Sequence, residues 1–289
     1  MSAELFWQQL HTRIDEQIAA IDAVIGFCIH DLNTGHGFEI NGRLRFPTAS
    51  TIKIHILTQL YQEATVGTLD LDQTIDWERW RTGGSGILRY LDDAPVVSLR
   101  DAANLMIIAS DNTATNLCID TIGMQAVNAL LDGLGLEKTR LRRKMMDSHA
   151  GRADQENVAT PVELVRMLRL LYRDLPSAAV AQQVLRVLRK PKSGFIDQVV
   201  ANGVEVANKP GWTGGVRCDA GIVYQSRTPY ALAIMLKYGS GAPEALDAAI
   251  IGLARTAADA LDVPKANVHL KRRGRQRGTT QHQKVNHSG

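Results

Sequence analysis

Segments with β-strand patterning lie at both ends of this chain, and the long stretch between them has the periodicity of helices. Residues 24–41 contain two apolar runs around an Asn33-Thr34-Gly35 turn, which is the pattern of a hairpin. Residues 203–238 carry three further strand-like pieces. Because strands need partners, we expect the two ends to build one antiparallel sheet flanked by helices. The pattern predicts an α/β (α+β) fold with an additional all-helical lobe and a site in the cleft between them.

The same pattern predicts one domain over residues 1–264. Its α/β lobe would comprise about residues 1–48 and 196–264, and its helical lobe about residues 49–195. The remaining residues, 265–289, contain seven lysines and arginines and no acid. A basic segment with almost no apolar residue is predicted to be disordered and solvated. Contact of this tail with nucleic acid or an anionic membrane is the less favoured alternative.

The hydrophobic content of 45% and charged content of 22% suit a soluble globular protein. No stretch approaches the roughly 18–20 consecutive apolar residues of a membrane span. Residues 1–21 do not have the pattern of a signal peptide, because acids and amides interrupt them and no apolar block follows a basic start. They predict an amphipathic helix with four apolar residues on one side: Leu5, Leu10, Ile14 and Ile18. We therefore expect a cytoplasmic protein.

The three cysteines, Cys28, Cys118 and Cys218, are odd in number and far apart in sequence. They are predicted to be buried free thiols, which suits a reducing cytoplasm. No Cys/His cluster has the spacing of a metal site, and the glycines match neither a dinucleotide fingerprint nor a P-loop. We expect no metal and no cofactor.

Ser50 and Lys53 stand three residues apart where a polar turn becomes an apolar run. One interpretation is that Ser50 or Thr51 caps a helix whose apolar face enters the core. The other is chemical: residues i and i+3 share a helix face, so the lysine amine could reach the serine hydroxyl and activate it. The four-residue pattern occurs by chance in chains of this length, so taken alone it favours the capping interpretation.

Two later segments favour the chemical interpretation. A Ser-Asp-Asn triplet occupies residues 110–112, and a Lys-Pro-Gly triplet occupies residues 209–211. In this order and spacing, the three motifs resemble the S-x-x-K, S-D-N and K-T-G set of class A β-lactamases and penicillin-binding proteins. The flanking segments "LMIIASDNTATN", "GSGIL", "ATPVEL" and "WTGGVRCDAGIVY" also resemble that family, so the similarity covers about residues 5–262.

The resemblance implies a role for each motif residue. Ser50 would be the nucleophile, and Lys53 would take its proton if burial and nearby cations keep the amine neutral. Ser110 would relay a proton to the leaving nitrogen. Asn112 would hydrogen-bond Lys53 and the substrate amide. Lys209 would lie on an edge strand facing the cleft, where it would fix Ser110 and attract a substrate carboxylate.

The backbone N–H groups of Ser50 and Trp212 would form the oxyanion hole by the same resemblance. Pro210 departs from the family pattern, because the family has a hydroxyl residue at that position that helps to hold the substrate carboxylate. Thr213 and Arg217 are candidates to replace this donor. The alternative for both is an ordinary position on the surface of a strand.

A second departure concerns the loop before Thr160-Pro161, where class A enzymes carry a glutamate that activates the deacylating water. Alignment of the loop puts Met145 near the glutamate's place. The nearest acid is Asp147, with Glu156 further along. Asp147 is a candidate base, or else an acid that stabilises the loop.

These observations predict a β-lactamase-like serine hydrolase that forms a Ser50 acyl-enzyme with a β-lactam or a related acyl amide or ester. Deacylation is expected to be slow, because the loop glutamate is absent. A D-Ala peptidase, esterase or transacylase with the same nucleophile is one alternative. A protein that is acylated by β-lactams without turnover is another.

Overall fold

The structure is a computed structural model that describes residues 2–262. The basic segment predicted at residues 265–289 lies outside the described residues, as does the predicted end of the domain at residue 264. Within residues 2–262, no helix is long and apolar enough to cross a membrane. The lobe boundaries near residues 48 and 196 stay predictions.

The described residues contain nine α-helices and nine strands. The helices are α1 (Ala3–Ala19), α2 (Lys53–Thr65), α3 (Leu99–Ile108), α4 (Asn112–Ile122), α5 (Met124–Gly133), α6 (Ser148–Arg152), α7 (Pro161–Tyr172), α8 (Ala178–Leu188) and α9 (Pro243–Asp262). The strands are β1 (Val24–Asp31), β2 (Gly37–Ile40), β3 (Phe46–Pro47), β4 (Thr74–Asp76), β5 (Val96–Ser98), β6 (Val158–Ala159), β7 (Val206–Thr213), β8 (Val216–Val223) and β9 (Tyr230–Lys237).

Five strands form one antiparallel sheet in the order β2-β1-β9-β8-β7. The first strand of the chain lies beside the last, with Cys28 opposite Ala233. This confirms the prediction that the two ends of the chain build a single sheet. It also leaves β7, which carries Lys209, at an edge of the sheet.

The two faces of this sheet bury different sets of residues because successive side chains of a strand point to opposite sides. Phe27 on β1 and Ile234 on β9 pack on one side against Leu10 and Ile14 of α1 and against residues of α9. Cys28 and its neighbours on the other face pack against α2, α7 and α8. Each fully buried aliphatic side chain contributes roughly 1.5–3 kcal/mol to folding. The sheet is therefore covered on both faces, and the site lies at its β7 edge.

The starts of α3 and α7 carry side-chain caps. Ser98 accepts a hydrogen bond from Asp101 N at the start of α3, and Thr160 accepts one from Glu163 N at the start of α7. Leu10 and Ile14 of α1 are buried as the amphipathic pattern predicts, whereas Leu5 is 44% exposed because it lies in the first turn at the chain end. The three cysteines are free and buried.

Candidate active site

Ser50 lies in a 3-10 turn, Ala49–Ile52, that precedes α2. Neither Ser50 nor Thr51 caps α2, so the capping interpretation is wrong: the Thr51 hydroxyl donates to Thr48 O at 2.8 Å, and α2 has no side-chain cap. Ala49 has a φ of 43°, a left-handed conformation that is strained for a residue with a Cβ. The backbone is thus held in a costly conformation directly before the candidate nucleophile.

Strand β7 passes against the backbone of Ser50. A Cβ at Gly211 would lie 2.5 Å from the Ser50 nitrogen and 3.0 Å from the Ala49 Cβ, so only glycine fits at this position. The close approach brings Ser50 to the edge strand that carries Lys209. It also aligns the start of α2 with the backbone of β7.

The hydroxyl of Ser110 is the centre of the polar network. It donates to Ser50 Oγ at 2.8 Å and accepts from Lys53 Nζ at 3.0 Å and Lys209 Nζ at 3.2 Å. Lys53 Nζ also donates to Ser110 O at 2.7 Å and to Asn112 Oδ1 at 3.1 Å. The structure therefore brings all five of these motif residues together. Among the described contacts, Ser110 and not Ser50 is the hydroxyl bonded to Lys53.

Both lysines are fully buried, which disfavours the charged amine. Burial first, and the charge of Lys209 second, lower the pKa of Lys53 well below its ordinary value of 10.5. Burial also lowers the pKa of Lys209 to about 7, while the carboxyl of Asp219 opposes this shift. The lowered pKa favours loss of a proton from Lys53, after which its amine can act as a base.

Asp111 organises the segment that carries Ser110 and Asn112. Its Oδ1 accepts from Ala114 N at 2.9 Å and caps α4, and its Oδ2 accepts from the N–H groups of Ile87 and Leu88 at 2.7 and 2.8 Å. This one buried carboxylate ties the segment at Ile87 and Leu88 to the start of α4. Both of its oxygens act as acceptors, which the amide of an asparagine at the same position could not provide.

Asp219 lies behind Lys209 and is completely buried. It accepts hydrogen bonds from Phe195 N at 2.8 Å, Ile196 N at 2.9 Å and Asn208 Nδ2 at 3.1 Å. Burial raises the pKa of its carboxyl to about 6 despite these donors. Its position makes the charge of Lys209 depend on that of Asp219.

Comparison with known proteins gives one consistent result. The model of the "Beta-lactamase enzyme family" matches residues 9–261. The chain belongs to this β-lactamase family. Beta-lactamase CARB-4 of Pseudomonas aeruginosa is 25% identical over 225 residues, which cover 75% of this chain and 78% of that enzyme.

Solved structures extend the likeness to the whole fold. The β-lactamase from Sphaerobacter thermophilus is 30% identical and has a TM-score of 0.80, with 88% of this chain and 96% of that chain covered. The protein PBP-A is 25% identical with a TM-score of 0.79 and the same two coverages, 88% and 96%. The fold is therefore that of class A β-lactamases and related penicillin-binding proteins.

Met145 lies in the loop before α7, and Asn116 of α4 holds its backbone. Asn116 Oδ1 accepts from Met145 N at 2.8 Å, and Asn116 Nδ2 donates to Met145 O at 3.1 Å. The Met145 side chain is 8% exposed and belongs to the hydrophobic core. A thioether offers no base at this position.

Contacts between its two ends close this loop. Arg143 forms a salt bridge with Glu156 at 2.8 Å, and Asn157 Oδ1 accepts from Arg142 N at 2.7 Å and Arg143 N at 3.0 Å. Asn157 O accepts from Thr48 N at 2.9 Å, which fastens the loop beside the Ser50 turn. Glu156 is thus occupied by Arg143.

Asp147 is exposed and acts as the N-cap of the short helix α6. Its Oδ1 accepts from Ala150 N at 2.9 Å. No hydrogen bond joins it to Ser50, Lys53 or Ser110 among residues 2–262. The structure does not bring this candidate base into the network, and it supports the loop-stabilising alternative.

The strand residues after Lys209 divide between two faces. Thr213 is exposed and, by alternation, shares the face of Lys209 and Gly211. Trp212 points to the opposite face, where its half-exposed ring meets Phe195 edge-on at 6.3 Å. Only the backbone of Trp212 is therefore directed towards the site by this geometry.

Arg217 lies on the face away from Lys209 and is 5% exposed. Its guanidinium is paired with Asp247 of α9 and donates to Gly214 O at 3.0 Å. The structure does not bring Arg217 into the site. It is not a surface strand residue either, because the ion pair buries it between the sheet and α9.

Three site residues were missed by the sequence interpretation: Gly211, Asn116 and Asp219. Gly211 belongs to the recognised Lys-Pro-Gly triplet, and its presence directly beside the nucleophile follows from close backbone approach. Asn116 lies about one helical turn after Asn112 on α4, a spacing that alone carries no chemical signal. Asp219 stands between the apolar residues Cys218 and Ala220 in β8, and an acid in such surroundings is a signal of a buried carboxylate with a specific role.

Proposed function

We propose that this protein is a serine acyl-transfer enzyme that opens β-lactams or related amides by forming an ester at Ser50. The observation that carries the proposal is the Ser110 hydroxyl, which contacts Ser50 at 2.8 Å and two buried lysines at 3.0 and 3.2 Å. One hydroxyl thus connects the nucleophile to a low-pKa amine and to a cation. This arrangement suits proton transfer out of and back into an acyl-transfer reaction.

In the acylation step, Ser50 Oγ would form a bond to the carbonyl carbon as the amide C–N bond breaks. Once the two hydroxyl groups rotate so that Ser50 donates to Ser110 and Ser110 donates to Lys53, the Ser50 proton would pass to Ser110 Oγ while the proton of Ser110 moves to the neutral amine of Lys53. The leaving nitrogen would then take a proton from Ser110, which Lys53 would replenish. Lys53 ends the step neutral, so atoms and charges balance.

The developing oxyanion would be stabilised by the backbone N–H groups of Ser50 and Trp212. The contact of Gly211 with the Ser50 backbone supports this role, because it brings β7 close enough for both donors to face one oxygen. Lys209 would attract the carboxylate that β-lactams carry beside the scissile amide. Thr213, exposed on the same face, is the hydroxyl available to replace the donor lost at Pro210.

Hydrolysis of the ester is proposed to be slow, because Met145 cannot activate water. Water attack on the acyl-enzyme would then limit turnover, and a burst of one equivalent would precede a slow steady state. The presence of Met145 in place of a base also favours a second candidate function, a protein that β-lactams acylate without release. A D-Ala peptidase, esterase or transacylase would share the nucleophile but use another acyl donor or acceptor.

The test is rapid-mix kinetics with a chromogenic cephalosporin, followed by intact-mass measurement. A burst with a Ser50 adduct and sustained turnover supports the hydrolase, and a stable one-equivalent adduct supports the non-turnover protein. Ser50→Ala is the control and should give neither. If wild-type protein shows no adduct and no turnover, both β-lactam proposals are overturned.

Asp147 is the remaining acid for a deacylating role. Its exposure and its capping contact with Ala150 argue against such a role. Asp147→Asn keeps the cap and removes the base. Equal deacylation rates for this variant and wild type would exclude Asp147, whereas a large loss would restore it as the base.

A further inference from the structure

A cavity of about 390 Å³ that is wide open to solvent lies beside the motif network and is lined by Arg81, Thr82, Gly83, Arg89 and Tyr90. Gly83, in the wall of this cavity, is hydrogen-bonded to the motif network: its carbonyl oxygen accepts from Asn112 Nδ2 at 3.1 Å. The cavity is therefore separated by one residue from the amide that also binds Lys53.

Arg81, one of the two arginines in this cavity, is already fully engaged. It forms a two-point ion pair with Glu78 at 2.8 Å, and it donates to the carbonyls of Arg89 and Leu91. Its charge is balanced, and its hydrogen bonds hold the chain around Arg89. Arg81 thus supports the cavity wall.

Arg89 is different, because its charge has no carboxylate partner among residues 2–262. Its guanidinium stacks over the Tyr90 ring at 4.5 Å and donates to the Tyr90 hydroxyl. Its Nε is shielded from solvent and lacks a hydrogen-bond acceptor in the part of the chain described. Its Nη1 lies 3.8 Å from where a Cβ on Gly83 would be, at the wall that contacts Asn112.

We propose that this cavity receives an acid group on the acyl portion of the substrate and that Arg89 is the cation that binds it. A planar guanidinium that lines the cavity and has no carboxylate partner among the described residues fits a carboxylate, and the Tyr90 ring fixes its orientation. Lys209, on β7, serves the carboxylate on the leaving side of the scissile bond. The preferred substrate is therefore a diacid, and this inference rests on the proposed acylation of Ser50.

The test compares two penicillins that differ by one group, benzylpenicillin and its α-carboxy derivative. Both carry the ring carboxylate, so the contribution of Lys209 cancels in the ratio of their second-order acylation rates. We expect wild-type protein at low salt to favour the diacid by about fivefold, and Arg89→Gln to bring the ratio close to one. Arg189→Gln is the matched control, because Arg189 also stacks on a tyrosine, Tyr224, at 4.3 Å but lies after α8.

A wild-type ratio at or below one would overturn the inference, and so would a ratio that Arg89→Gln leaves unchanged. If neither penicillin forms a Ser50 adduct, the proposed function fails and direct binding decides the inference. Ligand-observed NMR would then compare phenylmalonate with phenylacetate, the two side-chain acids. Weaker binding of phenylmalonate to Arg89→Gln than to wild type supports the cavity, and equal binding overturns it.

Discussion

The hydroxyl of Ser110 donates a hydrogen bond of 2.8 Å to the hydroxyl of Ser50, across 60 residues of sequence. Ser110 holds a φ of 50°, an unusual left-handed conformation that directs its side chain and its carbonyl towards the same lysine. Ser110 therefore stands between the nucleophile and Lys53. The proposed mechanism can therefore be tested by changing Ser110, and not only by changing Ser50 or Lys53.

Ser110→Ala is expected to slow acylation of Ser50 by about 10²- to 10³-fold, because it removes the group that connects Ser50 to Lys53. The rate of adduct formation, followed by intact mass, measures the effect. Ser98→Ala is the control: it removes the cap of α3, at a cost of about 1 kcal/mol in stability, and leaves acylation unchanged. Wild-type acylation in Ser110→Ala would show that Lys53 reaches Ser50 directly.

Met145→Glu is expected to convert a slow acyl-enzyme into one that turns over at least about tenfold faster. The two Asn116 hydrogen bonds to the Met145 backbone already hold this position, so the change supplies a base without moving the loop. Steady-state hydrolysis after the burst is the measurement. Met145→Gln separates polarity from basicity, and equal turnover in both variants would contradict the role of a base at this position.

Much of the fold follows from local patterning. The strand segments at the two ends lie where the sequence predicts them, and the caps Ser98 and Thr160 also follow short-range rules. The start of α2 was predicted less well. Ser50 has the residue type of a cap, but its hydroxyl is drawn into a tertiary contact with Ser110, which no local rule can register.

The candidate site also brings together residues that the sequence predicted, while another predicted site residue lies elsewhere. The motif residues Ser50, Lys53 and Ser110 were predictable because their order and spacing match a family. Arg217 was not, because its role depends on which sheet face it occupies and on Asp247, 30 residues later. A one-residue change of register would have placed it on the sheet face that carries Lys209. The sequence pattern therefore did not show which face of the sheet the side chain of Arg217 occupies.

Acylation by anionic substrates is expected to fall as the pH rises through about 7. Burial lowers the pKa of Lys209 to about 7, so its ammonium loses its charge, and its attraction for a carboxylate, above that pH. Asp219→Asn removes the carboxylate that opposes this shift and should move the decline to lower pH. Asp247→Asn, which disrupts only the Arg217 pair on the same sheet face, should leave the profile in place.

Gly211→Ala is expected to reduce acylation by at least about 100-fold, because the new Cβ would meet the Ser50 nitrogen at 2.5 Å. The variant should also lose stability, since the contact is with backbone and not with a movable side chain end. Gly252→Ala in α9 meets nothing within 4 Å and should gain about 1 kcal/mol. Thermal unfolding and adduct formation measured on both variants separate the two effects.

The burial of His55 is expected to make the folded protein less stable in acid. It is completely buried in α2, and neither ring nitrogen has a hydrogen-bond partner among residues 2–262. Burial lowers its pKa from 6.5 to about 4, so the folded state holds the neutral ring and the unfolded chain takes up the proton first.

Stability from this group is therefore complete above pH 6.5 and is lost as the pH falls towards 4, with a total of the order of 3 kcal/mol. His55→Leu should remove this acid sensitivity and raise the unfolding free energy, because an apolar side chain leaves no unsatisfied nitrogen. Urea unfolding at pH 7 and pH 4.5 measures the difference. His36→Leu, at an exposed position, should retain the wild-type pH dependence, and an equal flattening in both variants would show that the acid response arises elsewhere.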